Sequence, residues 1–317
     1  MMLNLPHLGD TMSESTPPKD LYHPKTWPTW LAMGVLWVFV RAVPWRAQIR
    51  LGERIGSILY RFAKERRHIA LTNLRLCFTE QSEQEHEQLA KAHFKAMSAA
   101  LFETLLAWWA PQKQLEPLMH ISGLEHLKAA QEKGRGVLLL SAHFTALELT
   151  GRMLATQQDF AVLYRRHSHA LPEYLFRENR KRHFSQAIRK ELVRDVIRTL
   201  KEGSVVWYAP DQMEQSSQSV MAPFFGVPAP TSTATARFAK ITGASVVPFF
   251  GYRLPGNQGY QLEILPALED FPTDDAEADT ARINLVIEEA VRKKPEQYFW
   301  THRRFRYPPE SGLTTPY

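Results

Sequence analysis

The chain carries a histidine and a carboxylate five residues apart, at a point where an apolar run gives way to a helix. Gly136-Val137-Leu138-Leu139-Leu140-Ser141 reads as a short, wholly buried strand. It leads directly into Ala142-His143-Phe144-Thr145-Ala146-Leu147-Glu148, after which the sequence continues as a helix to Thr156. On one continuous helix, residues five apart point about 140° away from each other and cannot meet. A break between strand and helix removes that obstacle, so the Glu148 carboxylate is expected to fold back onto one ring nitrogen of His143 and leave the other facing a substrate. Such a contact fixes the tautomer and raises imidazole basicity, which is what taking a proton from a hydroxyl requires. Ligands in α/β sheets collect at the carboxyl ends of strands, where this histidine is expected.

The spacing alone is weak, because the chain has 12 histidines and His120 with Glu125 repeats it. Gly123 lies between those two and no buried strand precedes them, so they read as loop and helix-start residues. His167 and His169 have the alternation of a strand ligand pair, but no third ligand is in view and no metal site is expected. The single cysteine, Cys77, excludes an intramolecular disulfide and a cysteine-built metal centre. It reads as a buried structural thiol near a helix end, not as a nucleophile. There is no G-x-G-x-x-G or P-loop signature, so nucleotide binding has no support.

The elements that must position His143 can be read from the hydrophobic pattern. Apolar segments at Phe160 to Tyr164, Ser204 to Ala209, Ala244 to Phe250 and Tyr260 to Ile264 read as further strands, with helix-like stretches between several of them and a helix over Leu124 to Lys133. Alternation of this kind predicts an α/β domain, a mixed and largely parallel sheet flanked by helices. Asp211-Gln212 ends the Ser204 to Ala209 strand and is expected near the same active edge. The domain is assigned to 45–310, with a helical N-terminal part: Ser82 and Glu85 resemble a capping box opening a helix to Trp109, and Leu51, Ile55, Ile58, Leu59 and Phe62 recur at helical spacing. The apolar side of that earlier helix is expected to meet lipid or the core, with Arg46, Arg50 and Arg54 on a second stripe.

With 317 residues, 44% of them apolar, the chain can bury a large core, which excludes disordered and fibrous classes. Its formal charge of +6 points to an anionic partner: nucleic acid, a phospholipid surface or an acidic carrier protein. Residues 1–25 are polar and proline-rich, and read as a flexible tail, not a signal peptide. Residues 26–44 are assigned to membrane contact. The uncharged run from Thr26 to Val40, with Trp27, Trp30 and Trp37, is shorter than the ~20 residues of an upright span, so shallow insertion, a crossing and a buried core helix all stay open. Tryptophans at its ends and the arginines that follow place the main domain in the cytoplasm.

Several stretches together resemble the late acyltransferases of lipid A biosynthesis, the lauroyl/myristoyl acyltransferase family, which carry an H-x4-E motif after a buried strand. Besides His143 and Glu148, Arg66-Arg67-His68-Ile69-Ala70 through Asn73 to Cys77-Phe78-Thr79-Glu80 is similar to a family stretch, with Thr79 where proline is usual. Tyr164-Arg165, Arg180-Lys181-Arg182, Asp211-Gln212, Pro223-Phe224-Phe225-Gly226 and Trp300-Thr301-His302-Arg303-Arg304-Phe305 match later motifs in order. The resemblance implies a glycerophosphate-acyltransferase-like fold and transfer of a fatty acyl chain, lauroyl or myristoyl, from acyl carrier protein to a hydroxyl of a lipid A precursor. It implies no further cofactor and no nucleic acid, a place at the cytoplasmic face of a bacterial inner membrane, and His143 as general base with Glu148 as its orienter. Arg165, Arg180 and Arg182 then suit the precursor's phosphates, and Asp211 and Gln212 support the site. Phe144, Leu147, Phe224 and Phe225 either line an acyl groove or belong to the core, and Trp300 to Arg306 reads as a C-terminal packing element.

Other readings compete. Acylation of a glycerophosphate or another phosphoglycolipid is the runner-up, although such enzymes usually show aspartate where Glu148 stands. A non-catalytic lipid-binding protein of the same fold predicts that His143 is dispensable. A nucleic-acid binder needs a recognised motif, and none is present.

Overall fold

In the computed structural model, which describes residues 23–166, 170–213 and 218–317, the chain opens with helices. They are α1 (Trp27–Ala42), α2 (Trp45–Phe62), α3 (Lys64–Cys77), α4 (Glu83–Trp109) and a short α5 (Gln112–Leu115). The expected capping box opens α4: the Ser82 hydroxyl accepts the Glu85 N–H, and the Glu85 carboxylate accepts the Ser82 N–H at 2.7 Å. Residues 1–22, with most of the expected flexible tail, and His167 and His169 lie outside the described residues.

α2 has three faces. Gln48, Ile49, Gly52, Gly56 and Tyr60 are buried, and the two glycines set how closely α2 lies on α4. A Cβ on Gly52 would come within 2.6 Å of Ala99 Cα, and one on Gly56 within 2.3 Å of Phe94 O. With small residues turned inward, the apolar stripe faces out: Leu51, Ile55, Ile58, Leu59 and Phe62 are all exposed, Phe62 by 75%. Trp27, Leu31, Val35 and Val38 on α1 are exposed as well. α1 is 16 residues long, and among the described residues no helix is long and apolar enough to cross a membrane.

Strands and helices then alternate: β1 (Met119–Ser122), α6 (Leu124–Glu132), β2 (Val137–Leu140), α7 (Leu147–Ala155), β3 (Ala161–Tyr164), α8 (Ala170–Lys181), β4 (Gln186–Arg189), α9 (Val193–Lys201) and β5 (Val205–Tyr208). A hairpin of β6 (Ser219–Phe224) and β7 (Val227–Ser232) comes next, then α10 (Ala234–Thr242), β8 (Ser245–Arg253), β9 (Tyr260–Ile264) and α11 (Ala276–Lys293). The main sheet has seven strands in the order β1-β9-β8-β2-β5-β3-β4. Every pairing in it is parallel except β8 with β9. It is therefore the mixed, largely parallel, helix-flanked sheet that the pattern predicts.

β2 lies at its centre, with all four residues fully buried. Alternate residues enter different cores, as the two-residue period of a strand requires. Leu138 and Leu140 join Val196, Phe238 and Ile287 on one face, and Val137 and Leu139 join Phe102, Leu127 and Leu149 on the other. His120 corrects the sequence reading: it sits in β1, not in a loop. That edge strand is only partly buried on one face, so it lacks the apolar run by which the central strands announce themselves.

Candidate active site

The site is assembled by the register of two neighbouring parallel strands. β2 pairs with β5 so that Leu140 stands opposite Tyr208, and the Ser141 N–H donates to the Tyr208 carbonyl at 2.8 Å. His143 and Asp211 each lie three residues beyond that last pair, and so arrive side by side. One oxygen of Asp211 accepts the backbone N–H of His143 at 2.9 Å, and the other meets the imidazole Nδ1 at 2.6 Å. The Asp211 side chain is 2% exposed, whereas that of His143 is 31% exposed. The loop that carries the histidine is clamped from the C-terminal side: Thr145 N–H donates to the Gln297 carbonyl at 2.8 Å, and Phe144 bridges to Tyr298.

This geometry sets the proton inventory of the ring. A carboxylate on Nδ1 makes that nitrogen the donor in the neutral imidazole and leaves the Nε2 lone pair free to accept a proton. Among the described residues, Nε2 has no hydrogen-bond partner. Burial works against charging the imidazole, but the charge and bond of Asp211 outweigh it and hold the His143 pKa above its ordinary value. Asp211 answers in kind: burial would raise its pKa, yet the imidazole, the His143 N–H and the charge of Arg304 hold it below the usual carboxylate range.

Glu148 is where the structure departs from the expectation. It lies in the first turn of α7, as read from the sequence, but its carboxylate is not the one bonded to His143. Arg180 of α8 takes both oxygens, Nε to Oε1 at 3.0 Å and Nη2 to Oε2 at 2.7 Å. The side chains are 14% and 11% exposed, so the pair is largely shielded from water. The two-pronged fit of guanidinium to carboxylate satisfies both groups at once, and with Nδ1 already occupied there is no second N–H on that side for Glu148 to accept. Burial pushes Glu148 up, but the Arg180 charge prevails and its pKa is lowered. Arg180 also lies 5.5 Å from the Phe176 ring centroid and 5.8 Å from that of Tyr164. Its charge still reaches His143, where it opposes protonation.

The remaining expectations divide. Arg165 and Arg182 stand exposed at the ends of β3 and α8. Gln212 is half-buried and shares a small cavity with Asp211. Asp211, expected to support the site, grips His143 with both carboxylate oxygens. Phe144 and Phe224 are core, 3% and 1% exposed, while Leu147 and Phe225 are half-buried. Cys77 is buried, and burial pushes its thiol well up, which keeps it protonated and inert. Three residues gain a place that sequence reasoning did not give them. Tyr298 sits against Asp211, and His302 and Arg304 lie close behind it. His302 and Arg304 fall in the stretch from Trp300 that matches a family motif but was read as a packing element, and Tyr298 precedes it; contacts some 90 residues away in the chain fix their neighbours.

The bacterial lipid A biosynthesis acyltransferase family matches residues 17–307. The chain is 39% identical to the lipid A biosynthesis lauroyltransferase of Escherichia coli (strain K12), over 94% of this chain and 97% of that one. It is 37% identical to the palmitoleoyltransferase of the same strain, over 93% and 97%, and 27% identical to its myristoyltransferase, over 89% and 88%. The crystal structure of a 1-acyl-sn-glycerophosphate acyltransferase from Thermotoga maritima aligns with 76% of this chain and 97% of that one, with a TM-score of 0.36 and 14% identity. At that distance the likeness says nothing about activity.

Proposed function

Since the chain belongs to the bacterial lipid A biosynthesis acyltransferases, we propose that it transfers a lauroyl or myristoyl chain from acyl carrier protein to a hydroxyl of a lipid A precursor, with His143 as general base. The observation that carries this reading is the pair of hydrogen bonds between Asp211 and His143, which leaves Nε2 as the ring's one open acceptor. Nε2 takes the hydroxyl proton as the oxygen attacks the thioester carbonyl, and Asp211 stabilises the imidazolium that forms. When the tetrahedral intermediate collapses, the C–S bond breaks and the imidazolium returns its proton to the departing thiolate. No enzyme nucleophile takes part, so donor and acceptor must be bound together, and no cofactor beyond the acyl donor is required.

Glu148 serves this site through Arg180. Held by its carboxylate, the guanidinium is pre-organised to meet negative charge near His143, either an acceptor phosphate or the developing oxyanion. Exposed Arg165 and Arg182 extend the cationic edge toward the precursor's phosphates. The outward apolar stripes of α1 and α2, with arginines 46, 50 and 54 beside the latter, suit an anionic membrane surface on which both lipid substrates reside. The enzyme is assigned to the cytoplasmic face of the bacterial inner membrane.

The decisive experiment is mass spectrometry of a lipid A precursor incubated with lauroyl-, myristoyl- or palmitoleoyl-loaded carrier protein, using wild type beside His143→Ala. Added lauroyl or myristoyl mass with wild type alone is the expected result. Transfer of palmitoleate in preference to both would refute the chain assignment. Transfer surviving in a folded His143→Ala variant would refute the base, and no transfer to this acceptor would refute the substrate.

A further inference from the structure

The acyl-transfer chemistry leaves unexplained a histidine in the cavity that Asp211 lines. His302 lies with Asp211, Gln212, Tyr298 and Arg304 around a small cavity that Asp211, the partner of His143, helps to line. Its ring runs nearly parallel to that of Phe299, with an interplanar angle of 15°.

The contacts of His302 run in two directions. Outward from the ring, Nε2 accepts the backbone N–H of Met213 at 3.0 Å. Met213 lies in the stretch by which the chain leaves β5, after Ala209-Pro210-Asp211-Gln212, so the bond fixes the segment two residues past Asp211. In the other direction the His302 backbone is bolted to α3. Buried Asn73 donates its amide to the carbonyls of Trp300 and His302, both at 2.7 Å, and Arg66 donates to that of Thr301 at 3.3 Å. The ring is thus a strut from α3 to the segment that presents the Asp211 carboxylate to His143.

An imidazole can do this only while neutral, because a protonated Nε2 cannot accept an N–H. Burial holds the His302 pKa down to about 4; Asp211 opposes that, while the charges of Arg304, His143 and Arg66 reinforce it. A charged ring here would also add to the cations already acting on Asp211, His143 and Arg304, and weaken its hold on His143.

We propose that His302 is a positioning residue for this enzyme: as an uncharged acceptor it holds the 211–213 turn so that one carboxylate of Asp211 meets both N–H groups of His143. The inference rests on His143 acting as the base, and its test reads the histidine directly. The imidazole of His143 would be titrated by NMR in full-length, histidine-labelled protein, as wild type, His302→Asn and His302→Gln. The asparagine amide falls short of Met213, while the longer glutamine places its carbonyl near the position of Nε2.

In His302→Asn the Asp211 grip loosens, so the His143 titration moves to lower pH and kcat falls by about ten- to a hundredfold. In His302→Gln both return toward wild type. An unmoved His143 titration in folded His302→Asn overturns the proposal, even if the rate falls, because a merely structural loss would leave the imidazole's proton affinity alone. Should that variant not fold, the nitrogen shifts of His302 in the wild type decide: an Nε2–H tautomer or a charged ring at neutral pH overturns the proposal. Failure of the base assignment itself would appear separately, as transfer surviving in His143→Ala.

Discussion

Two polar couples stand next to each other at the active edge, and they are built in opposite ways. The His143–Asp211 couple comes from the ends of neighbouring strands, and it is asymmetric: the carboxylate is buried and saturated, while the imidazole keeps one nitrogen open. The Glu148–Arg180 couple joins two helices and is closed on itself, each partner meeting the other's fork. The difference teaches which carboxylate can tune a base. A group whose oxygens are taken by a guanidinium has little left to offer an imidazole, whereas Asp211 shares a hydrogen bond with it and moves its pKa.

That contrast is open to direct attack. The largest effect is expected from His143→Ala, with kcat lower by about 10³-fold for loss of the general base, measured as acyl transfer to a lipid A precursor. Asp211→Asn should come second, at roughly 10²-fold or more, because the amide cannot stabilise an imidazolium. Its pH signature matters more than its size. The proposed base works only when neutral, so wild-type kcat/KM should climb as pH rises through a His143 pKa that Asp211 holds above its ordinary value. Removing the Asp211 charge lowers that pKa and moves the acid limb to lower pH.

Glu148→Gln is expected to act differently. Breaking a shielded ion pair on one side costs about 3 kcal/mol of stability, read by denaturant unfolding, and kcat drops by about tenfold as Arg180 is released. The acid limb should stay or move slightly up in pH if Arg180 swings away, since that cation opposes protonation of His143. A shift to lower pH as large as that of Asp211→Asn would erase the distinction between the couples. The smallest catalytic effect belongs to the outer stripe of α2. Ile58→Glu with Phe62→Glu should leave the rate on detergent-dispersed substrate within about twofold, as exposed substitutions generally do, while sharply lowering co-sedimentation with anionic vesicles.

The sequence made the histidine legible because three signals coincide at His143: a wholly apolar run, a strand end and a helix start. Asp211 was placed at the same edge for the same reason, but its bond to His143 could not be read. Nothing in the chain states that β2 and β5 are neighbours, or that Leu140 stands opposite Tyr208. Glu148 illustrates the converse. Its spacing from His143 permits a contact, and the local chain does break where it must, yet the contact was taken by Arg180, from a helix beginning 22 residues further on. The central strands were found by their apolar runs, whereas the less buried β1 and β4 and the β6–β7 hairpin were passed over. α2 was recognised as amphipathic with its apolar side left to either lipid or the core, and its two glycines decide between them: the side that packs on α4 is the smooth one, and the large apolar side chains are left outside.

The shared register of β2 and β5 makes the His143–Asp211 pair a matter of counting. From Leu140 to His143 and from Tyr208 to Asp211 the chain takes the same three steps, like two pins cut to one length. Deleting or inserting a single residue in either stretch would retract one pin or turn it to the opposite side of the sheet. Chemistry would be lost with both side chains present and the fold around them unbroken. Compensation is also arithmetic: the same insertion made in both stretches would restore the match in height, so the reaction is encoded partly in an equality of lengths that no single position carries.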